Sequence, residues 1–198
     1  MEQLDVVRGP ALVLDRSDVD TDQIIPASRL KRVDRAGYAD DLFADWRDDA
    51  DFVLNQPRAA GARVLVTGRN FGCGSSREHA VWALLDFGFR AVLCEQLADI
   101  FRENAVNAGL VPVELPVADV RAVRDAVADD ADRVVEVDLV ARRVRVAGTA
   151  IDVPLRLDAG ACRTLRAGRD AVAVTMRDEE LIDRYERRRP EWMPQMPA

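Results

Sequence analysis

Between residues 62 and 115 the apolar positions come as short continuous runs, Val64-Leu65-Val66, Ala91-Val92-Leu93-Cys94 and Leu110-Val111-Pro112-Val113-Glu114-Leu115. Runs of this length read as strands buried on both faces. The segments between them, 76–88 and 97–108, have helical spacing and stop at Gly88 and Gly109. Strand–helix–strand–helix–strand predicts a parallel βαβ core, with Pro112 placing the third strand at an edge or bulge.

Beyond residue 119 the period changes. Asp119 to Ala128 is helical, and Val134 to Leu139 and Arg143 to Val146 alternate around Ala141-Arg142. With Ala150 to Val153 they predict antiparallel hairpins. Helices at Asp158–Ala167 and Asp178–Arg188 flank a predicted strand, Ala171 to Thr175, before an extended Pro190 to Pro194. At the other end, Val6 to Leu14 predicts two short strands around Gly9-Pro10. A polar loop with Asp15, Asp18, Asp20 and Asp22 follows, closed by Ile24-Ile25-Pro26. Arg29 to Asp51 is expected to be a surface excursion of short helical pieces, pinned by Tyr38, Leu42, Phe43, Trp46 and Phe52. With no repeat and no linker, residues 1–198 are read as a single α/β domain.

One stretch carries more chemistry than its neighbours. Gly68 to Ala80 holds three glycines, the pair Ser75-Ser76, Arg77 and His79, the one histidine of the chain. A strand, a Gly-rich loop and a helix start make an anion site, because glycine lets backbone approach and helix N–H groups point outward. Gly72 and Gly74 would supply that backbone. Ser75 and Glu78 also have the spacing of a capping box, which would make them a helix start and nothing more. Arg77 opposes the helix dipole unless it serves a carboxylate or phosphate.

The loop lacks the lysine of a phosphate loop, the third glycine of a dinucleotide fingerprint and the Gly-x-Ser-x-Gly of a nucleophile elbow. His79 follows Ser75 by four residues and is expected to pack beside the loop. Cys73 could be a thiolate at a helix start, but no base accompanies it. Asp20 and Asp22 can cap a turn, bind an arginine or orient a histidine. Their loop lacks the central glycine and late glutamate of a calcium loop.

The formal charge of −7 argues against wrapping nucleic acid. No apolar run reaches the length of a membrane span, and the acidic N-terminus is unlike a signal peptide, so the expected location is cytoplasmic. Cys73, Cys94 and Cys162 lack the spacing of a zinc or iron–sulfur ligand set, so no metal is expected on this chain.

Gly72-Cys73-Gly74-Ser75-Ser76-Arg77-Glu78-His79-Ala80 resembles the serine loop of the aconitase superfamily. Asp20-Thr21-Asp22-Gln23-Ile24-Ile25-Pro26 resembles its N-terminal aspartate loop, and Ala98 to Pro112 resembles the segment that follows. With Phe43, Trp46 and Phe52 to Asn55, the set is similar to the small-subunit family of the 3-isopropylmalate dehydratases, from about residue 6 to 190. Ala167-Gly168-Arg169-Asp170-Ala171 departs from the expected Asn-Gly-Leu-Asp-Asp.

The resemblance implies a swivelling β/β/α domain that partners a large subunit holding a [4Fe-4S] cluster. It implies a hydro-lyase that isomerises 2-isopropylmalate to 3-isopropylmalate through 2-isopropylmaleate in leucine biosynthesis. Homoaconitate- or citramalate-type diacids are the alternative substrates, and a stand-alone phosphate-binding domain is the non-enzymatic alternative. By motif position Ser75 resembles the base, Ser76 and Arg77 the substrate-carboxylate ligands, and Asp22 the aspartate that orients groups of the other subunit. A substrate arginine is expected after Pro26, where Arg29, Arg32 and Arg35 compete and Arg32 is preferred.

Overall fold

A computed structural model describes residues 1–30, 35–130, 132–190 and 192–193. The strands are β1 (Val6–Leu14), β2 (Val64–Thr67), β3 (Ala91–Cys94), β4 (Val111–Glu114), β5 (Val134–Asp138), β6 (Arg143–Val146) and β7 (Asp152–Pro154). The helices are α1 (Thr21–Ile24), α2 (His79–Phe87), α3 (Asp99–Ala108), α4 (Val117–Asp129), α5 (Ala159–Ala167), α6 (Ala171–Thr175) and α7 (Glu179–Glu186). The strands form one sheet in the order β4-β3-β2-β1-β5-β6-β7. β4 to β1 run parallel, and β1 through β7 on the other side pair antiparallel. The βαβ core and the added hairpins are both present, with Pro112 on the edge strand.

β1 joins the two halves, and here the sequence expectation needs correction. Residues 6–14 are one strand, not two. Val6 to Pro10 pair with β5, and Ala11 to Leu14 pair with β2. Gly9-Pro10 therefore marks a change of neighbour instead of a turn. A Cβ on Gly9 would lie 2.4 Å from Arg63 Cγ. Pro10 has no N–H to give, and its carbonyl accepts from Arg63 N–H at 2.8 Å.

Alternation along the central strands splits the core between two faces. Leu12, Leu14, Leu65, Val92 and Cys94 pack with α2, α3 and the aromatics Tyr38, Phe43 and Phe71. Ala11, Val64, Val66, Leu93 and Val113 pack against Val120, Val123 and Val127 of α4 and Leu165 of α5. Covering both faces is what a parallel sheet requires.

The described residues of the stretch from Arg29 to Asp51 are also more interior than expected. Tyr38, Leu42 and Phe43 are fully buried, and Phe43 stacks on Trp46 with ring centroids 5.1 Å apart. Short 3-10 turns let the chain bury an aromatic and expose the next charge without a regular period. Ala171–Thr175 is helix α6, not a strand. Asp170 accepts from Ala173 N–H at 2.8 Å, and Val172 and Val174 are exposed. A strand needs a ladder neighbour, and β-branched spacing alone does not supply one. In the stretch that departs from the family pattern, Gly168 ends α5 at φ 61° and Asp170 caps α6.

Candidate active site

The aspartate loop leaves the carboxyl end of β1, and the serine loop leaves the carboxyl end of its parallel neighbour β2. Ligands of open α/β sheets bind outside such strand ends. The two loops run side by side. Gly68 N–H reaches Arg16 O at 2.9 Å, Asp18 N–H reaches Arg69 O at 2.9 Å, Gly72 N–H reaches Val19 O at 2.7 Å, and Thr21 N–H reaches Cys73 O at 2.9 Å. Gly72 is held at φ +76°, and a Cβ there would sit 2.3 Å from Phe101 Cγ. Only glycine lets the serine loop pass that ring.

The cap expected at Ser75 is found in the other loop. Asp20 Oδ1 accepts from Gln23 N–H at 2.7 Å, and Gln23 Oε1 accepts from Asp20 N–H at 2.9 Å, a reciprocal box at α1. Ser75 caps nothing. α2 starts at His79, behind a Glu78 whose side chain makes no cap. Ser75 Oγ instead lies 2.8 Å from Thr21 Oγ1, a hydroxyl 54 positions earlier in the chain. Among the described residues the N–H groups of Gly74, Ser75, Ser76, Glu78 and His79 have no acceptor. Gly74, Ser75 and Ser76 are exposed. The result is a set of free donors in the serine loop and at the first residue of α2. They lie ahead of a first turn whose Ala80, Val81 and Trp82 N–H groups are bonded to Arg77 O and Glu78 O. Loop donors before a helix start can receive an anion.

Arg77 and Asp22 meet across the loops. Arg77 Nη1 donates to Asp22 Oδ1 at 2.7 Å, to Ile25 O at 2.8 Å and to Thr21 O at 3.4 Å. The Arg77 side chain is 13% exposed, so its charge needs a nearby anion, and Asp22, 59% exposed, provides one. The Arg77 hydrogen bond holds the Asp22 carboxyl below its usual range, against a smaller opposing effect of desolvation. Nε and Nη2 of Arg77 have no acceptor among the described residues, which leaves one edge of the guanidinium available for a planar carboxylate.

Of the sequence-predicted residues, Ser75, Ser76, Arg77, Asp22, Gly72 and Gly74 are brought into this one pair of loops. Arg32 lies outside the described residues. Arg29 pairs with Asp41 at 3.8 Å, and Arg35 sits over the Trp82 ring at 5.5 Å. His79 packs between Tyr38 and Trp82, with centroids at 5.5 and 4.5 Å. Burial and then the charge of Asp20 push the Cys73 thiol up, the opposite of an activated nucleophile. The residue that sequence reasoning missed is Thr21. Its signal was a hydroxyl between two aspartates in an otherwise polar loop.

The cysteines are not arranged as cluster ligands. Cys94 is buried in the core on one face of the sheet and Cys162 in the core on the other. Burial raises both thiols. Among the described residues no group of three or more His, Cys, Asp or Glu could hold a metal ion. No helix among them is long and apolar enough to cross a membrane.

A family model described as the aconitase C-terminal domain matches residues 1–118. A second, for the C-terminal domain of the 3-isopropylmalate dehydratase small subunit, matches 172–198. The chain is 49% identical over 196 residues to a 3-isopropylmalate dehydratase small subunit of Rubrobacter xylanophilus, covering 99% of this chain and 100% of that one. It is 52% identical to one of Acidothermus cellulolyticus, covering 98% of each. The chain belongs to the 3-isopropylmalate dehydratase small-subunit family. A crystal structure of a 3-isopropylmalate dehydratase from Methanocaldococcus jannaschii superposes with a TM-score of 0.67 at 30% identity. The match covers 91% of this chain and 99% of the other, so the two share their overall fold.

Proposed function

We propose that this chain supplies the serine–arginine half of the active site of a 3-isopropylmalate dehydratase, with all of residues 1–198 acting as one unit. Its enzyme is a hydro-lyase of leucine biosynthesis, as the family membership gives it. The relatives' names favour 2-isopropylmalate over a homoaconitate- or citramalate-type diacid. The observation that carries the residue assignment is the uncapped start of α2, with Ser75 and Ser76 exposed before it and Arg77 beside it.

In this reading Ser75 Oγ takes the proton from the carbon next to the one that bears the hydroxyl. The C–H electron pair becomes the double bond of 2-isopropylmaleate as the hydroxyl departs. Water then adds with the opposite regiochemistry. Serine is a weak base in water. The free N–H groups and Arg77 lower the cost of its alkoxide, and both are in place before substrate arrives. Ser76 and the Nε/Nη2 edge of Arg77 hold a substrate carboxylate, which fixes the carbon relative to Ser75. Asp22 keeps one carboxylate oxygen on Arg77 and presents the other to groups of the large subunit. The thiols of this chain do not fit a cluster, so the [4Fe-4S] group is assigned to the large subunit and none of these steps runs through it.

The test is Ser75→Ala, reconstituted with a cluster-loaded large subunit and assayed for isomerisation. We expect partner binding to be retained and turnover to fall at least ~1,000-fold, the upper range for losing a general base with its charge stabilisation. Turnover at the level of the unaltered enzyme would remove Ser75 from the chemistry.

A further inference from the structure

We propose that Thr21 is the positioning residue for Ser75, a buried hydroxyl that fixes the serine side chain and steadies it after proton loss. The proposal rests on Ser75 being the base. Thr21 opens α1, is 2% exposed and is one of two buried polar side chains among the described residues. Its own place is fixed by its N–H on Cys73 O at 2.9 Å. Its β-branched side chain allows few χ1 choices.

A threonine hydroxyl has one proton to give. Two acceptors lie within reach of Thr21 Oγ1, the Ser75 carbonyl oxygen at 3.2 Å and Ser75 Oγ at 2.8 Å. With Ser75 neutral, the serine donates to Thr21 Oγ1 and Thr21 donates to the Ser75 carbonyl. With Ser75 ionised, Thr21 turns its proton to the serine oxygen. Only a hydrogen rotates between the two arrangements, and no heavy atom has to move. Each state has its donors satisfied, but the ionised one gains a charge-assisted bond. Ser75 therefore loses its proton more easily beside Thr21 than beside an apolar side chain. Thr21 exchanges no proton with substrate. The proton from the substrate carbon goes to Ser75 Oγ and returns from it.

The same hydroxyl also ties the aspartate loop to the serine loop, so the experiment must separate steadying from stapling. Thr21→Val keeps the shape and removes the hydroxyl, and Thr21→Ser keeps the hydroxyl. Both are assayed in the enzyme reconstituted with its large subunit, beside Ser75→Ala. For Thr21→Val we expect kcat to fall about 10- to 100-fold, as for other residues that orient a reacting group. KM should stay within about twofold, and the rising limb of the kcat–pH profile should move up by about one unit, one hydrogen bond to the charged form being lost. Thr21→Ser should recover most of kcat and the original limb. An unchanged profile in Thr21→Val overturns the proposal, as does a loss confined to KM. If Thr21→Val does not assemble, Thr21→Ser decides alone, and a kcat loss above about tenfold there overturns it. Activity in Ser75→Ala would overturn the base assignment and this proposal together. Inactivity there with normal Thr21→Val kinetics overturns this proposal only.

Discussion

The starts of α5 and α2 are built in opposite ways. At α5, Asp158 Oδ1 takes the N–H of Gly160 at 2.7 Å and of Ala161 at 3.0 Å, so the helix start is closed by its own chain. At α2 the N-cap position is Glu78, whose side chain caps nothing, and the serine ahead of it turns to Thr21. The N–H groups of Gly74, Ser75, Ser76, Glu78 and His79 stay open among the described residues. A capped start contributes to stability because its own side chain occupies donors that a ligand would otherwise take. An uncapped start gives up that stabilisation, and what it keeps is a set of donors and a partial positive charge ready for an anion. The difference separates a helix end that closes on its own chain from one that keeps donors free, the end for which we propose a substrate carboxylate.

Closing the open start is the strongest way to break this contrast. Ser76→Asp would put a carboxylate of the chain itself among the free N–H groups beside Arg77. It should raise the melting temperature slightly, through the helix dipole. It should also lower turnover about 100-fold or more, because the donors we propose for substrate would be occupied and the new charge would repel the diacid. Turnover close to that of the unaltered enzyme, measured in the reconstituted complex, would show that the open donors do not face the substrate.

Opening the closed start is the converse, with a smaller effect. Asp158→Ala should cost about 1 kcal/mol, the usual value of an N-cap. For a chain of this size that is a fall of roughly 2–4 °C in melting temperature. Isomerase turnover should be unchanged. Loss of turnover in this variant would mean that the start of α5 also carries function.

The contrast also shows what could be seen in the residues alone. The βαβ half was legible because its strands are continuous apolar runs closed by Gly88 and Gly109, which have few other interpretations. The two halves of β1 were not, because a Gly-Pro pair looks the same at a turn and at a change of strand partner. Ala171 to Thr175 has the spacing of a strand, but its fate depended on Asp170 and on the absence of a neighbour. The candidate site residues were chosen from their motifs, yet Ser75 and Asp158 cannot be told apart as caps by local pattern. The difference is made by Thr21, which is remote in sequence and reaches Ser75 only once β1 and β2 lie side by side.

The smallest effect belongs to the charge that balances the open start. Asp22 has its pKa lowered by the hydrogen bond from Arg77. A carboxylate with a depressed folded pKa stabilises the native state above its unfolded value of about 3.9. That contribution disappears as pH falls through the folded value. Between about pH 5 and 3 the unaltered chain should therefore lose slightly more stability than Asp22→Asn, which has no such proton to bind. The Asp22 side chain is 59% exposed, so solvent screens the pair and the difference should be a fraction of a kcal/mol. Melting temperatures of both proteins across that range would measure it. Parallel curves would mean that Arg77 is held by the Ile25 carbonyl and packing, with its charge available to substrate at no cost to Asp22.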